Sequence, residues 1–417
     1  MFVRCSKFSS FILPGSPCII QGSPFAFTLS FRSALARVRI MYILALETSC
    51  DDTAAAIVEQ TTDGLFVRSS VVSSQIALHA TYGGVVPNLA AREHAKNIVP
   101  VIEAALQGAK LTKTDIDLIA VTQGPGLIPA LLVGTTAAKT LSFLWQKPLL
   151  GIHHIEGHIY ANFINQTPQS NIEHQESVFP LLALVVSGGH TQLMLMRDHF
   201  QYEILGETQD DAVGECFDKV ARLLGLPYPG GPLVAKRADD WRSLISDPAK
   251  NTLESSQIKN RESRILFPRP MLGSDNLHFS FSGLKTSVLY FLKKHEADLK
   301  NEDFVSEVCH EFQEAAVDVL VGKTQRALEE YSPHTFIIAG GVSANVRLRN
   351  RLRNLISERF PDTVFLTPEF QYSLDNAAMI GAAAAFRFAA LTPDAKQALT
   401  ASWRTLDPDA NLPITPL

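Results

Sequence analysis

YILALETSCDDTAAAIVE, residues 42–59, opens on five apolar residues, breaks into a polar turn that holds Glu47, Asp51 and Asp52, and resumes as an apolar run. A short apolar run bounded by turn residues reads as a buried strand, and its resumption after the turn reads as the paired strand. The pattern recurs much later in the chain. VVSGGHTQL, residues 185–193, is again a buried strand that runs into a small polar turn. One such opening near the start of each half predicts two similar lobes facing a cleft.

The segments between follow the same logic. NLAAREHAKNIVPVIEAALQGA, residues 88–109, places Leu89, His94, Ile98, Ile102 and Leu106 largely on one helical face, with Pro100 expected to kink it. DLIAVTQGPG (117–126) reads as a strand and glycine loop, and LLVGTTAAKTLSFLW (131–145) as a helix. FPLLALVVSGGHTQLMLM (179–196) reads as strand, tight turn, strand, and FIIAGGVSANVRLRNRLRNLI (336–356) as strand, glycine turn, basic helix. Alternating strands and helices make the class α/β. The polar stretch 242–265 reads as a surface insertion.

Bulk properties set limits. The 417 residues are 46% hydrophobic and 19% charged, enough material for two cores. No uninterrupted apolar run reaches the roughly 18 residues of a membrane span, so no membrane partner is expected. The run Ala377 to Phe386 is broken by Arg387 and reads as a packed helix. A net charge of -5 gives nucleic-acid binding no bulk support, although a local basic patch is sufficient for it. Cys5, Cys18, Cys50, Cys216 and Cys309 form no C-x-x-C pair and are odd in number, which argues for a reducing compartment. Residues 1–40 hold five basic residues, seven serines and no acidic residue. They read as a transit-like leader or as the product of an upstream start, with the first domain beginning at Met41. The second reading is preferred, because LPGSP and GSP break any amphipathic helix, and the leader is expected to be dispensable.

Three glycine turns suggest the ligand. In VVSGGHTQL, Gly188 and Gly189 let backbone N–H groups approach an anion and Ser187 adds a hydroxyl, although a plain hairpin turn has the same spelling. AGGVSAN (339–345) leads into a helix whose N-terminus favours a phosphate or nucleoside; Ser343 or Asn345 as a simple cap is the other reading. With TQGPGL (122–127), the three turns together point to a nucleotide-type ligand. No G-x-G-x-x-G follows a strand and no G-K-[ST] occurs, so neither the dinucleotide fingerprint nor a Walker loop is present. Glu47, Asp51 and Asp52 suit acid/base work or ion binding, or a solvated turn. Asp218, in GECFDKVARLLGLPYPGGP (214–232), is placed to accept from a ribose or substrate hydroxyl, or to pair with Lys219 or Arg222. The PYPGGP turn is expected to leave its amides exposed.

GIHHIEGHIYANF, residues 151–163, holds three histidines. His154 and His158, at i and i+4, share one helical face, a spacing that suits two ligands of one metal. Ile155 after His154 rules out H-E-x-x-H, and Gly157 after Glu156 rules out H-x-x-E-H. The water-activating glutamate of those proteases is therefore absent. A structural His pair remains the alternative unless a third ligand joins it, and Asp375 in YSLDNAAMIGAA (372–383) is available.

LETSCDDT, HATYGGVVPNLAAREH, TQGPGLIPALLVG, HHIEGH, VVSGGHTQL, GECFDK, PYPGGP, FPRPM, FSFSGLKT, AGGVSAN and DNAAMIG, in this order from Met41 onward, resemble the universal tRNA adenosine threonylcarbamoyltransferase family. The bacterial TsaD type is the nearest, and the family was once labelled O-sialoglycoprotein endopeptidase. The resemblance implies an actin/hexokinase/Hsp70-like fold with a nucleotide cleft. Lobe I would span 41–155, completed by helices at about 376–400, and lobe II 156–375. The implied reaction moves threonylcarbamoyl from threonylcarbamoyl-AMP to the N6 amine of adenosine 37, next to the anticodon, in tRNAs reading codons that begin with A. It implies one divalent metal, Fe2+ ahead of Zn2+, on His154, His158 and Asp375. Substrate contacts map to Val185, Val186, Ser187, Gly188, Gly189, Asp218, Gly231 and Asn345, and Asp51 is the candidate for handling the amine proton. Implied partners are tRNA and, in a bacterium, TsaB and TsaE type subunits. The implied place is the cytoplasm, or the mitochondrion if residues 1–40 are a transit peptide.

The chain departs from the family pattern in its leader, in the length of 242–265, and at Val234 and Ala235, where some relatives carry a polar ribose contact. A metalloprotease, a non-catalytic scaffold of the same fold and a sugar kinase are the competing readings. The helix after AGGVSAN carries Arg347, Arg349, Arg351 and Arg353. Residues i and i+2 lie about 200° apart on a helix, so Arg347 pairs in direction with Arg351 and Arg349 with Arg353. One pair is expected on tRNA phosphates, with a solvated or salt-bridged face as the other reading.

Overall fold

Two five-stranded sheets share one plan. The first has the order β3-β2-β1-β4-β5, formed by β1 (Met41–Glu47), β2 (Asp52–Thr61), β3 (Gly64–Ser74), β4 (Leu118–Gly124) and β5 (Leu149–His153). Its first three strands are antiparallel, and β4 and β5 extend it in parallel beyond β1. The second has the order β10-β9-β6-β7-β8, from β6 (Leu181–Val186), β7 (Thr191–Asp198), β8 (Gln201–Glu207), β9 (Thr335–Ala339) and β10 (Val364–Leu366). Again three antiparallel strands come first and two parallel strands extend from the first of them. This doubled α/β plan is the two-lobed arrangement expected from the two strand-turn openings, and it agrees with the actin/hexokinase/Hsp70-like fold that the family resemblance implies. The computed structural model describes residues 40–165, 178–246 and 265–414. The leader, up to residue 39, and most of the polar stretch 242–265 lie outside the described residues.

The helices are α1 (Ile76–Ala80), α2 (Pro87–Ala109), α3 (Ile128–Trp145), α4 (His154–Tyr160), α5 (Val213–Leu223), α6 (Gly230–Ser246), α7 (Ser282–Lys294), α8 (Glu302–Tyr331), α9 (Val346–Arg359), α10 (Ala377–Ala390) and α11 (Pro393–Ala398). β1 shows why the apolar run is continuous. Leu44 and Leu46 pack with Ile98, Ile102 and Ala138 of α2 and α3. Ile43 and Ala45, on the other face, pack with Ile155 and Ile159 of α4 and the alanines of α10. A strand covered on both faces loses the polar half of its alternation. Each fully buried Leu or Ile contributes roughly 1.5–3 kcal/mol. α2 buries His94, Ile98 and Ile102 as expected and runs on through Pro100, whose missing N–H falls on the solvent side.

The layer shared by the two sheets positions the site. Ala183, Val185 and Met194 of the second sheet join the same core as Ile43, Ala45 and the α4–α10 pair. Small residues on α10 allow close approach, and α4 meets it at Gly157. A Cβ there would lie 2.8 Å from Ile380 Cδ1 and 3.1 Å from Met379 Cγ, so a side chain would lever the two helices apart. Asn376 caps α10 by accepting from Met379 N at 2.9 Å, which fixes the backbone next to Asp375. One described helix, α3, is long and apolar enough to cross a membrane by length and composition. Its Ala130, Leu131, Gly134 and Ala138 are buried, and it packs against β4 and α2.

Candidate metal and nucleotide site

β5 ends at His153, and α4 starts with His154. His153 is the hinge of that turn: its Nδ1 accepts from Ile155 N at 3.1 Å, and its Nε2 meets Leu412 O at 2.9 Å. Burial pushes its imidazole down to about 4, so it is neutral and structural. His154 and His158 stand one helical turn apart with ring centroids 4.7 Å from each other. One ligand atom from each of His154, His158 and Asp375 can be chosen so that all lie within 4.8 Å of one another. His154 Nε2 is 3.5 Å from Asp375 Oδ1, and His158 Nε2 is 3.2 Å from the same oxygen. His158 Nδ1 has no hydrogen-bond partner among the described residues, and Nε2 meets only Asp375. Two imidazoles, one carboxylate and an orphaned imidazole edge make a donor set that suits a divalent transition metal. The histidines lie deeper than a cleft position implies: His154 is 7% exposed and His158 1%. Asp375 is the most exposed of the three.

A second carboxylate stands behind His154. Glu47, at the end of β1, lies 3.0 Å from His154 Nδ1 through Oε2, accepts from Thr122 Oγ1 at 2.6 Å, and also accepts from Ser49 N. Burial disfavours charge on His154, but Glu47 and then Asp375 outweigh it and hold its imidazole up at about 10. Burial likewise opposes charge on Glu47 and Asp375, and His154 overrides it, keeping both carboxyls below their ordinary range. Burial lowers His158. His190, in the turn after β6, is pushed down to about 4 by burial and then by the charges of His154 and His158. That coupling brings the VVSGGHT turn up to the histidine pair.

The turn between β1 and β2 faces the same place. Asp51 is raised by burial, with the charge of Asp375 adding to it. Asp52 is raised to about 7, by burial first and also by Asp51, Asp375 and Glu47. Its buried Oδ1 has no hydrogen-bond partner among the described residues. A titratable carboxyl near neutrality in a cleft is a fit proton acceptor, so Asp52 joins Asp51 as a candidate.

The expected substrate contacts divide into open and closed groups. Val185 and Val186 are fully buried strand residues on opposite faces of β6, so their side chains serve the cores. Ser187, Gly188 and Gly189 do reach the surface, and nothing lies within 4 Å of a Cβ built on either glycine. Their amides are not all free, as the bare spelling suggests: Ser187 Oγ accepts from Gly189 N at 3.3 Å and from His190 N at 3.0 Å. Gly188 N–H keeps no partner among the described residues. The amides of the PYPGGP turn are not exposed either. Asp218 Oδ1 accepts from Gly230 N at 2.7 Å and Gly231 N at 3.1 Å. That leaves Asp218 Oδ2 as the open atom of the pair. Asn345 is the cap of α9: its Oδ1 accepts from Leu348 N at 3.0 Å and its Nδ2 donates to Gln313 Oε1 at 2.9 Å.

The basic helix takes the salt-bridged reading for most of its arginines. Arg347 donates to Glu314 Oε1 at 2.8 Å, and Arg351 to Asp318 Oδ1 at 3.0 Å, both on α8. Arg349 is buried and donates to Ser373 Oγ at 2.9 Å and to Ser343 O, with its guanidinium 4.1 Å over the Phe370 ring. Arg353 is the most exposed of the four, with Asn350 as its hydrogen-bond partner at 3.3 Å. Arg347 and Arg351 are thus held by carboxylates of α8 and Arg349 is buried, while Arg353 stays exposed.

Comparison with known proteins adds the family. Residues 66–382 match the family model described as TsaD: tRNA N6-adenosine threonylcarbamoyltransferase. The tRNA N6-adenosine threonylcarbamoyltransferase of Bacillus licheniformis is 47% identical over 349 residues, covering 84% of this chain and 92% of its own. The Bacillus subtilis enzyme of the same name is 46% identical over 349 residues, covering 84% and 91%. Among solved structures, full-length HypF in its phosphate- and nucleotide-bound form gives a TM-score of 0.47 at 13% identity, covering 89% of this chain and 56% of HypF. With a family match over most of its length and relatives this similar, the chain belongs to the TsaD family of tRNA N6-adenosine threonylcarbamoyltransferases, and is a transferase.

Proposed function

We propose that this chain transfers the threonylcarbamoyl group from threonylcarbamoyl-AMP to the N6 amine of adenosine 37, in tRNAs that read codons beginning with A, with release of AMP. The observation that carries the reading is the grouping of His154, His158 and Asp375 within 4.8 Å, in a chain of this family. A scaffold of the same fold has no need of that grouping. In the transfer, the N6 lone pair attacks the carbamoyl carbon, the bond to the phosphate oxygen breaks, and AMP leaves with that electron pair. The amine gives up one proton, for which Asp51 is the candidate acceptor and Asp52 the alternative. The mixed anhydride is already activated, so the protein's work is orientation and charge stabilisation.

The roles divide by location. Gly188 N–H and the hydroxyl of Ser187 face the adenylate phosphate. Asp218 Oδ2, beside Gly231, faces the ribose, and Asn345 holds the start of α9 against the nucleoside. The family implies a divalent metal, and His154, His158 and Asp375 are the residues that would hold it, iron ahead of zinc. When bound, that ion supplies Lewis-acid stabilisation of substrate oxygens. Glu47 keeps the His154 ring turned toward it. The lobe division is proposed at about residue 155, with α10 returning to the first sheet, because α10 packs on β1 and β2. TsaB and TsaE type subunits as partners, and the cytoplasm as the place of action, follow from the bacterial character of the relatives.

The test is AMP release. The full chain, with threonylcarbamoyl-AMP and unmodified tRNA, should release AMP at a rate that depends on adenosine at position 37. Equal release with a tRNA carrying guanosine there would remove the assignment of the acceptor.

A further inference from the structure

The two histidines of the site are held by a helix, but Asp375 sits on a short irregular stretch, 373–376, between the turn Phe370–Tyr372 and α10. Packing does little to hold that stretch: Leu374, next to the carboxylate, is 57% exposed. Side-chain anchors therefore decide where the carboxylate stands. On the C-terminal side Asn376 caps α10 and donates from Nδ2 to Leu374 O at 2.7 Å. On the N-terminal side the anchor comes from another element. Ser373 is fully buried, and its Oγ accepts from Arg349 Nη2 of α9 at 2.9 Å.

The same guanidinium holds a second turn. Its Nε donates to Ser343 O, two residues before Asn345, and its face lies 4.1 Å over the Phe370 ring. Ser343 belongs to the AGGVSAN turn, whose start is seated on the end of β6. Gly340 takes φ of +86° there, and a Cβ on it would lie 2.4 Å from Val186 O. Asn345, at the other end of the turn, is held by Gln313 of α8. Arg349 is 6% exposed, and among the described residues it pairs with no carboxylate; burial, and then the charge of Arg353, disfavours its charge. A buried cation without a counter-charge costs stability, so packing alone does not account for an arginine here. What a guanidinium offers and an apolar side chain does not is a rigid fork, with donors aimed at two sites at once.

We propose that Arg349 is a positioning residue whose two arms set the Asp375 carboxylate against the nucleoside turn at 343–345, so that metal and nucleotide are held in one register. This rests on the metal and nucleotide readings above and adds the strut between them. Arg349 acts through Ser373 and Ser343 and takes no part in the chemistry.

The experiment takes the full chain and measures its affinity for Zn2+ alone, by chelator competition, and for AMP alone, by equilibrium dialysis, alongside thermal unfolding. Arg349→Met keeps the length of the side chain and removes its donors. It should bind Zn2+ about tenfold more weakly, the low end for a residue standing behind a metal ligand, and should also bind AMP more weakly. Its unfolding temperature should stay near the parent's, because a buried charge is removed together with the hydrogen bonds. Ser373→Ala cuts one arm only, so Zn2+ affinity should fall while AMP affinity stays parental. The double variant should bind Zn2+ no more weakly than Arg349→Met, since both changes break the same link. Parental Zn2+ affinity in Ser373→Ala overturns the inference, as do parental AMP affinity in Arg349→Met and losses that add in the double variant. A fall of both affinities in Ser373→Ala also overturns it, because general loosening of the fold predicts that result. If Arg349→Met does not fold, Ser373→Ala decides the question on its own. A parent that binds Zn2+ and AMP but transfers no threonylcarbamoyl to tRNA overturns the functional reading and not this inference.

Discussion

Glu47 Oε2 sits 3.0 Å from His154 Nδ1, on the opposite edge of the ring from Asp375. In the neutral ring, the form that can ligate a metal, that contact places the hydrogen on Nδ1 and leaves Nε2 as the donor atom facing His158 and Asp375. Carboxylate–histidine pairs of this kind orient a ligand and raise its basicity. Glu47→Gln should therefore weaken divalent-ion binding about 10- to 100-fold with little change in fold. His158→Ala should empty the site. Chelator competition followed by metal analysis reads both. Full metal occupancy in His158→Ala would remove the ligand assignment, and parental affinity in Glu47→Gln would remove the orienting role.

Asp52 gives the chain a pH signature. Its carboxyl is raised to about 7 in the fold, against about 3.9 in an unfolded chain. Between those values the folded state holds a proton that the unfolded state has released, so this group's stabilising contribution is complete below about pH 4 and is lost as pH rises through about 7. Asp52→Asn removes the penalty. Its stability gain over the parent should grow from pH 5 to pH 8, toward an upper bound of about 4 kcal/mol at about 1.4 kcal/mol per pH unit. Urea unfolding at the two pH values measures it; a gain of the same size at both would contradict the assignment.

Glu156, between the two histidines of α4 in sequence, is fully buried, and Arg387 of α10 meets it, donating from Nε to Oε2 at 2.6 Å. The Arg387 guanidinium also lies 4.7 Å over the Phe200 ring. Removing one partner of such a pair leaves a buried charge. Arg387→Met should cost about 3–5 kcal/mol, and adding Glu156→Gln should recover part of it. If the double variant is as unstable as the sum of the two single variants, the residues are not coupled.

The short-range features of this protein were legible in its sequence. The repeated strand-turn opening announces the doubled sheet, and the i, i+4 spacing puts His154 and His158 on one face. Partners distant in the chain were not legible. Glu47 precedes His154 by 107 residues, and nothing local tells it apart from Asp51 or Asp52 in the same polar turn. Arg347 and Arg351 looked like an RNA face because their carboxylates, Glu314 and Asp318, lie 33 residues earlier on α8. Asp218 was seen as a hydrogen-bond acceptor, but the amides it accepts from belong to the glycine turn that was expected to be free. In each case the residue type was informative, and the fold decided which neighbour satisfied it.

Transfer of the group itself is the most direct test. The full chain, with threonylcarbamoyl-AMP labelled in the threonine carbon and unmodified tRNA, should place label in tRNA. Digestion to nucleosides should recover that label as N6-threonylcarbamoyladenosine from position 37, and Asp375→Asn should abolish it. Label that stays on the adenylate or appears as free threonine while tRNA remains unlabelled, with partner subunits supplied, would contradict the account.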